Sequence, residues 1–257
     1  MDITKWGETL HNARVDKAPI EQISDKIDNF DRSDAYSIQE HGITLREKSG
    51  EKVIGLKMGL TSEAKRKQMN LDAPLYGVLT DKMEIKNGGE YDIAPQIHPK
   101  IEPEVAFLMT KELSGVVTRD EVIAAIGEVY PCMEILDSRY KQFKYFSMED
   151  VISDNSSSSQ FILGKPIRDF SHIDLSNLKL KMKVNGEVAS VGNTKAISGD
   201  PLISVIELCE LLHKRGQSLP AGMIVLAGAA TTAVALSSGM KIELEMEELG
   251  NVTVSVK

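Results

Sequence analysis

The stretch His98-Pro99-Lys100-Ile101-Glu102-Pro103-Glu104-Val105-Ala106-Phe107-Leu108 sets two acids two residues apart at the head of an apolar run. Strand side chains alternate with a period of two, so Glu102 and Glu104 would share one face of a strand. A second apolar run, Tyr130-Pro131-Cys132-Met133-Glu134-Ile135-Leu136, carries another acid inside it. An ionised carboxylate in a buried strand is costly unless it is paired or bound to a cation. Two arrangements are open. The acids beside Pro103 lie in water on an edge strand, or the three carboxylates converge and need a positive charge between them. Glu134, flanked by Cys132-Met133 and Ile135-Leu136, favours convergence.

The remaining chain narrows the partner of such a site. Its 257 residues suffice for one large domain or two small ones, and 42% hydrophobic residues can supply a core. Lysine and arginine number 30 against 38 acids, a net charge of -8 with no basic block. That excludes nucleic acid and anionic membrane as favoured partners and points to small molecules or proteins. Cys132 and Cys209 lie in apolar sequence without a CxxC or zinc spacing, which predicts buried, reduced thiols. Met1-Asp2-Ile3-Thr4-Lys5-Trp6 is no basic start to a signal peptide. The apolar stretch Met223 to Leu236 is broken by Gly, Ala and Thr before it reaches the roughly 18 apolar residues of a membrane span. A cytoplasmic protein is expected.

Patterning divides the chain into a helical section, residues 1–52, and a β-rich body, residues 53–257, expected to form one continuous unit. Ile3, Trp6 and Leu10 fit one helical face. Pro19 with Ile20, Ile23 and Ile27 predicts a second helix, and Ser33, Tyr36 and Leu45 a third that ends near Gly50. Val53 to Leu60 reads as a strand with Lys57 in its middle, Ser62 caps a short helix through Met69, and Tyr76 to Leu79 forms another strand. Thr118 to Glu121 resembles a capping box for a helix over 119–127, and a short helix covers Met148 to Ile152. Leu178 to Val184 alternates strictly and runs into the hairpin signal Asn185-Gly186. Asp200 caps a helix through Leu212, Met223 to Ala227 is a strand, and a last hairpin joins Lys241–Glu245 to Val252–Val256. Strands and helices do not alternate and no GxGxxG follows a strand, so the fold class is α+β rather than Rossmann.

Carboxylate oxygens suit Mg²⁺ or Mn²⁺, and such a cation can polarise a carbonyl. Lys57 is the other anomaly: its ammonium snorkels to the surface, or it binds a substrate carboxylate or donates a proton. His98 could serve as ligand or base, though a single histidine at a strand start is more often structural. Ser153-Asp154-Asn155-Ser156-Ser157-Ser158-Ser159 is either a flexible linker or the polar lining of a pocket. No GxSxG and no evident Cys/His pairing is present.

Four segments in order, Gly55-Leu56-Lys57-Met58-Gly59-Leu60-Thr61, Pro99 to Glu104, Glu134-Ile135-Leu136-Asp137-Ser138-Arg139 and Asp154-Asn155-Ser156-Ser157-Ser158, resemble the hydratase/decarboxylase branch of the fumarylacetoacetate hydrolase superfamily. The resemblance spans nearly the whole chain. It implies a mixed, rolled β-sheet body of the fumarylacetoacetase C-terminal-like fold, enclosing Mg²⁺ or Mn²⁺ on Glu102, Glu104 and Glu134. Two activities share the branch: hydration of 2-hydroxypenta-2,4-dienoate and decarboxylation of 4-oxalocrotonate. Hydratases of the branch carry an aspartate in a Pro-Asp-aromatic-Gly segment, which here reads Pro74-Leu75-Tyr76-Gly77. The resemblance therefore favours decarboxylation of a small 2-oxo dicarboxylate. It implies Lys57 as the catalytic residue, holding the distal carboxylate or protonating the dienolate, with Leu75 at the substrate and Arg139 and Ser158 either binding substrate or supporting the residues that do. It also implies a homo-oligomer that associates with the vinylpyruvate hydratase. The alternatives are the hydratase itself, an acylpyruvate-type C–C hydrolase with His98 as base, and a non-catalytic scaffold for the hydratase.

Overall fold

The structure is a computed structural model that describes residues 1–62, 66–67, 73–143 and 147–257. The helix expected from Ser62 through Met69 falls mostly outside these residues. Among the described residues thirteen strands form two mixed sheets. The larger contains β1 (Val53–Gly59), β2 (Leu75–Thr80), β3 (Glu84–Ile85), β5 (Lys100–Met109), β6 (Ile126–Leu136), β7 (Ser158–Leu163) and β10 (Ile224–Ala229), in the order β2-β1-β10-β5-β6-β7-β3. β11 (Val234–Ala235) adds to β5. The smaller sheet runs β4 (Glu90–Tyr91), β13 (Gly250–Val256), β12 (Lys241–Met246), β8 (Lys179–Val184), β9 (Glu187–Asn193). No helix among the described residues is long and apolar enough to cross a membrane.

Local chemistry explains most element ends. At the hairpin between β8 and β9, Asn185 (φ 52°) and Gly186 (φ 86°) supply the two left-handed residues of a tight turn. In helix α3 (Arg119–Ala125) Thr118 and Glu121 cap each other reciprocally, and the helix stops two residues before the expected 127 because β6 begins at Ile126. Asp200 accepts from Leu202 N at the start of α5 (Pro201–His213). Alternation in β8 and β12 buries Leu180, Met182, Ile242 and Leu244 and leaves Lys181, Lys183 and Glu245 paired on the outer face.

The N-terminal section has two helices, α1 (Ile3–Asp16) and α2 (Arg32–Lys48), not three. The helix expected from Pro19 to Ile27 is an irregular segment. Its backbone is claimed by distant partners. Ile20 bridges to Tyr140, and the Asp150 carboxylate accepts from Ile23 N at 2.9 Å and Ser24 N at 3.1 Å. Ile23 is fully buried with Leu10, Ile38 and Tyr140. Apolar spacing was thus met by tertiary packing, and capture of two N–H groups by one carboxylate displaced the helix. α2 also packs on α4 (Met148–Ser153), and its Ala35, Tyr36 and Ile43 join the core of the body.

A candidate metal centre on the curled sheet

β5 and β6 pair antiparallel, with Glu102 opposite Glu134 and Glu104 opposite Cys132. Directly opposed residues share a face, so three carboxylates project together. One oxygen from each of Glu102, Glu104 and Glu134 lies within 4.8 Å of the others. β5 is central, between β10 and β6, so the edge-strand reading fails. Glu104 and Glu134 are fully buried, while Glu102 is half-buried.

Lys57 reaches this cluster from β1, which is separated from β6 by β10 and β5. Three strand spacings of about 4.8 Å would put β1 and β6 about 14 Å apart on a flat sheet. The ammonium nevertheless donates to Glu134 Oε2 at 3.0 Å, which requires the sheet to curl around the site. Lys57 is only 2% exposed, so it does not snorkel. Ser158 Oγ holds the other oxygen of Glu134 at 2.9 Å.

Glu104 is held differently. A register shift in β10 between Leu226 and Ala229 turns Gly228 N toward Glu104 Oε2, at 2.9 Å. Gly228 sits at φ +112° against Thr61 Oγ1, where a Cβ would collide. The remaining oxygen, Glu104 Oε1, is buried without a hydrogen-bond partner. Burial, then the charges of Glu134 and Glu102, raises the Glu104 carboxyl well above its ordinary range. Burial also raises that of Glu134, with the Lys57 charge opposing. Among the described residues the two fully buried carboxylates, Glu104 and Glu134, share one ammonium, that of Lys57, which leaves an excess of negative charge. An orphaned buried oxygen within an all-oxygen donor set fits a divalent cation of the Mg²⁺ type.

The cluster opens into a cavity lined by residues that include Lys57, Glu102, Leu136, Phe143, Ser156 and Ser157. Lys57 and Glu102 are the ionisable side chains among its described lining residues. Ser156 and Ser157 of the serine run line this pocket, and the burial of Ser153 through Ser158 is not that of a flexible linker. Ala229, the last residue of β10, also contributes to the wall.

The other candidate residues stand farther out. Arg139 is not turned to the carboxylates. Its Nε pairs with Asp154 Oδ1, and its Nη1 donates to the carbonyls of Asp137 at 2.6 Å and Ser158 at 3.1 Å. It positions the wall of the site and does not line the cavity. Leu75 is fully buried beneath Gly59 and likewise does not line it. His98 stacks on Phe143 with ring centroids 5.4 Å apart, outside the cavity lining, and burial lowers its pKa. Cys132 and Cys209 are free and buried, which raises both thiol pKa values. Neither the Gly228 amide nor Asn155 has a role that the sequence motifs alone indicate. The signal for the first was a glycine ahead of Ala229-Ala230; for the second the residue type alone gave none.

Residues 56–257 match the family described as fumarylacetoacetate (FAA) hydrolase C-terminal. The chain is 40% identical to 4-oxalocrotonate decarboxylase of Pseudomonas sp over 99% of its own length and 98% of the relative's. It is 34% identical to 2-hydroxyhexa-2,4-dienoate hydratase of Comamonas testosteroni, over 98% and 96% of the two chains. The structure of 4-oxalocrotonate decarboxylase from Pseudomonas putida G7, complexed with magnesium and adipate, superposes with a TM-score of 0.96 at 37% identity, covering 99% of this chain and 97% of that one.

Proposed function

We propose a reaction for this chain from one premise: it belongs to the fumarylacetoacetate (FAA) hydrolase family. The reaction is the metal-dependent decarboxylation of 4-oxalocrotonate (2-oxohex-3-enedioate) to 2-hydroxypenta-2,4-dienoate and CO₂, a carboxy-lyase step of catechol meta-cleavage. The observation that carries this choice over water addition is the make-up of the cavity. Outside the carboxylate cluster and its lysine, the described lining residues include no acid or histidine to activate water. The position where the family resemblance expects such an acid is Leu75, buried in the core.

In this reading Glu102, Glu104 and Glu134 hold Mg²⁺ or Mn²⁺. A cation so held supplies Lewis acidity to the oxygen on which negative charge develops. The chemistry needs little else. The substrate's C6 carboxylate is a vinylogue of a β-keto acid. When the C5–C6 bond breaks, its electrons shift through C4 and C3 to the C2 oxygen, and CO₂ departs neutral. Lys57 offsets one carboxylate charge and keeps Glu134 aimed with Ser158. Its Nζ is also the acid within the cavity that can return a proton to the dienolate. Leu60, Leu136, Val151 and Phe143 in the wall keep water from the carbons, which suppresses hydration. The leaving carboxylate must not be held too strongly, because a tight ion pair would favour the reactant over the transition state.

The test is direct. With Mg²⁺, purified protein should release CO₂ from 2-oxohex-3-enedioate and leave 2-hydroxypenta-2,4-dienoate unhydrated. Hydration without CO₂ release would move the assignment to the hydratase, the second reading, which the hydratase relatives favour. A dienol product that tautomerises in water would also benefit from direct transfer. Self-association and a complex with the vinylpyruvate hydratase therefore belong to the proposal, and co-purification of the two chains tests it.

A further inference from the structure

Asn155, Ser156 and Ser157 occupy the left-handed region in succession, at φ 49°, 54° and 54°. No glycine relieves them, and such a run persists only where its surroundings over-determine it. Here the surroundings are identifiable. β2 is the outer strand of the large sheet, so one of its edges lacks a strand partner. The Asn155 amide takes that place: its Oδ1 accepts from Val78 N at 2.7 Å and its Nδ2 donates to Val78 O at 2.9 Å. On the other side Asp154 O accepts from Ser157 N at 2.9 Å, and Ser157 O accepts from Asp137 N at 2.8 Å. The loop also presses directly on backbone. A Cβ at Gly77 would fall 2.7 Å from Asn155 O, and one at Gly59 would fall 2.8 Å from Ser156 Oγ. Ser156 is 5% exposed and lines the cavity, and within the described residues its hydroxyl makes no hydrogen bond. A strained loop fastened at both ends thus delivers an unused donor to the cavity that holds Lys57 and Glu102.

We propose that Ser156 Oγ is the group that orients the distal carboxylate of a 2-oxo dicarboxylate, and that Asn155 is the positioning residue that sets it there. The inference rests on the reaction proposed above. A neutral hydroxyl suits this role because it fixes the direction of the bond to be broken without the strong charge stabilisation that an ammonium would give. Lys57 Nζ donates to Glu134 at 3.0 Å, and the Ser156 hydroxyl adds a neutral donor to the same cavity.

The test uses binding, so that it does not depend on turnover. In Mg²⁺, calorimetry would compare 2-oxoadipate, which has the distal carboxylate, with 2-oxobutyrate, which lacks it. Wild type should prefer the dicarboxylate by about tenfold, the worth of one hydrogen bond to a charged group. Ser156→Ala should erase the preference and leave 2-oxobutyrate binding unchanged. Asn155→Asp, which loses the donor to Val78 O, should erase it too. The double variant should lose no more than Ser156→Ala alone, because Asn155 acts through Ser156. A retained preference in Ser156→Ala overturns the inference, as does an additive loss in the double variant. Should Asn155→Asp fail to fold, Ser156→Ala still decides, since its backbone clamp is intact. Failure of wild type to bind either ligand with Mg²⁺ would instead overturn the proposed reaction.

Discussion

Two groups of buried acids lie on opposite sides of Ser158 and are treated oppositely by the chain. Asp154 is saturated. Its side chain receives the Arg139 guanidinium, Arg139 N at 3.1 Å and Ser157 Oγ at 3.2 Å, while its carbonyl accepts a further Arg139 donor. Asp150 is similar, taking Ile23 N, Ser24 N, the Ser24 hydroxyl and Ser147 Oγ. Glu104 has one backbone donor, two carboxylate neighbours and an oxygen with no partner. The first arrangement is complete without any other molecule and fastens the N-terminal section to the body. The second is incomplete, and its missing element is positive charge. Burial of an acid alone therefore does not identify a site; an unbalanced charge and an unmet acceptor do.

The largest effect should come from removing the imbalance itself. Glu104→Gln should lower Mg²⁺-dependent decarboxylation at least about a hundredfold by loss of a ligand. The same change should stabilise the metal-free protein at pH 8. Whether Glu104 stays protonated or ionises, its raised pKa costs the folded state free energy relative to the unfolded chain above the ordinary carboxylate range. That relief would appear as a higher urea midpoint in EDTA. Full activity would remove the three-glutamate site from consideration. A lower midpoint would erase the contrast with Asp154.

Asp154→Ala should act with the opposite sign. It leaves the Arg139 guanidinium, 5% exposed, without its carboxylate. Breaking a buried pair in this way costs about 3–5 kcal/mol. Denaturation by urea, with and without Mg²⁺, should show the same loss in both conditions. A loss confined to the Mg²⁺ condition would mean that Asp154 belongs to the metal site.

Asp154 also predicts a pH effect. Burial lifts its pKa to about 6, against 3.8 for the free side chain, with the Arg139 charge opposing the rise. A carboxyl whose folded pKa is raised favours the folded state most when both states are protonated. As pH climbs from about 4 to about 6 the unfolded chain ionises first, so this contribution to stability falls, by on the order of 2–3 kcal/mol, and then levels off. Asp154→Asn should remove that slope from the stability–pH curve while leaving the rest of the curve in place. An unchanged slope between pH 4 and 6 would assign the titration to another group.

What the sequence disclosed follows the same division. The convergence of Glu102, Glu104 and Glu134 could be anticipated because a period of two fixes faces within a strand, and two apolar runs invite pairing. Asn185-Gly186 and Thr118 with Glu121 were equally readable, since each signal lies within a few residues. What escaped depends on partners far apart in the chain. Asp150 claims Ile23 across 127 residues and converts an expected helix into a loop. Lys57 meets Glu134 across 77 residues, and only the curl of the sheet makes that possible. Arg139 reads locally as a substrate ligand or a supporting residue, and what favours support is Asp154, 15 residues on, which takes its guanidinium. The left-handed run at Asn155 to Ser157 has no local signature, because serine does not favour that region and β2 enforces it from outside.

Ser158 joins the two groups and gives the smallest and most selective test. Its hydroxyl donates to Glu134 Oε1, on the unbalanced side, while its carbonyl accepts from Arg139 Nη1, on the saturated side. Ser158→Ala removes the first bond and keeps the second, since the carbonyl is backbone. Glu134 would retain Lys57 but lose the restraint on its other oxygen. Loss of such a supporting bond typically weakens metal binding about tenfold or more. The cost in stability should stay near ~1 kcal/mol, that of one hydrogen bond lost at a partner that keeps a second donor. Mg²⁺ titration and urea unfolding of the same variant would separate the two effects. A large fall in stability with unchanged Mg²⁺ affinity would show that Ser158 serves the Arg139 side, and that the division between a complete and an incomplete cluster is drawn in the wrong place.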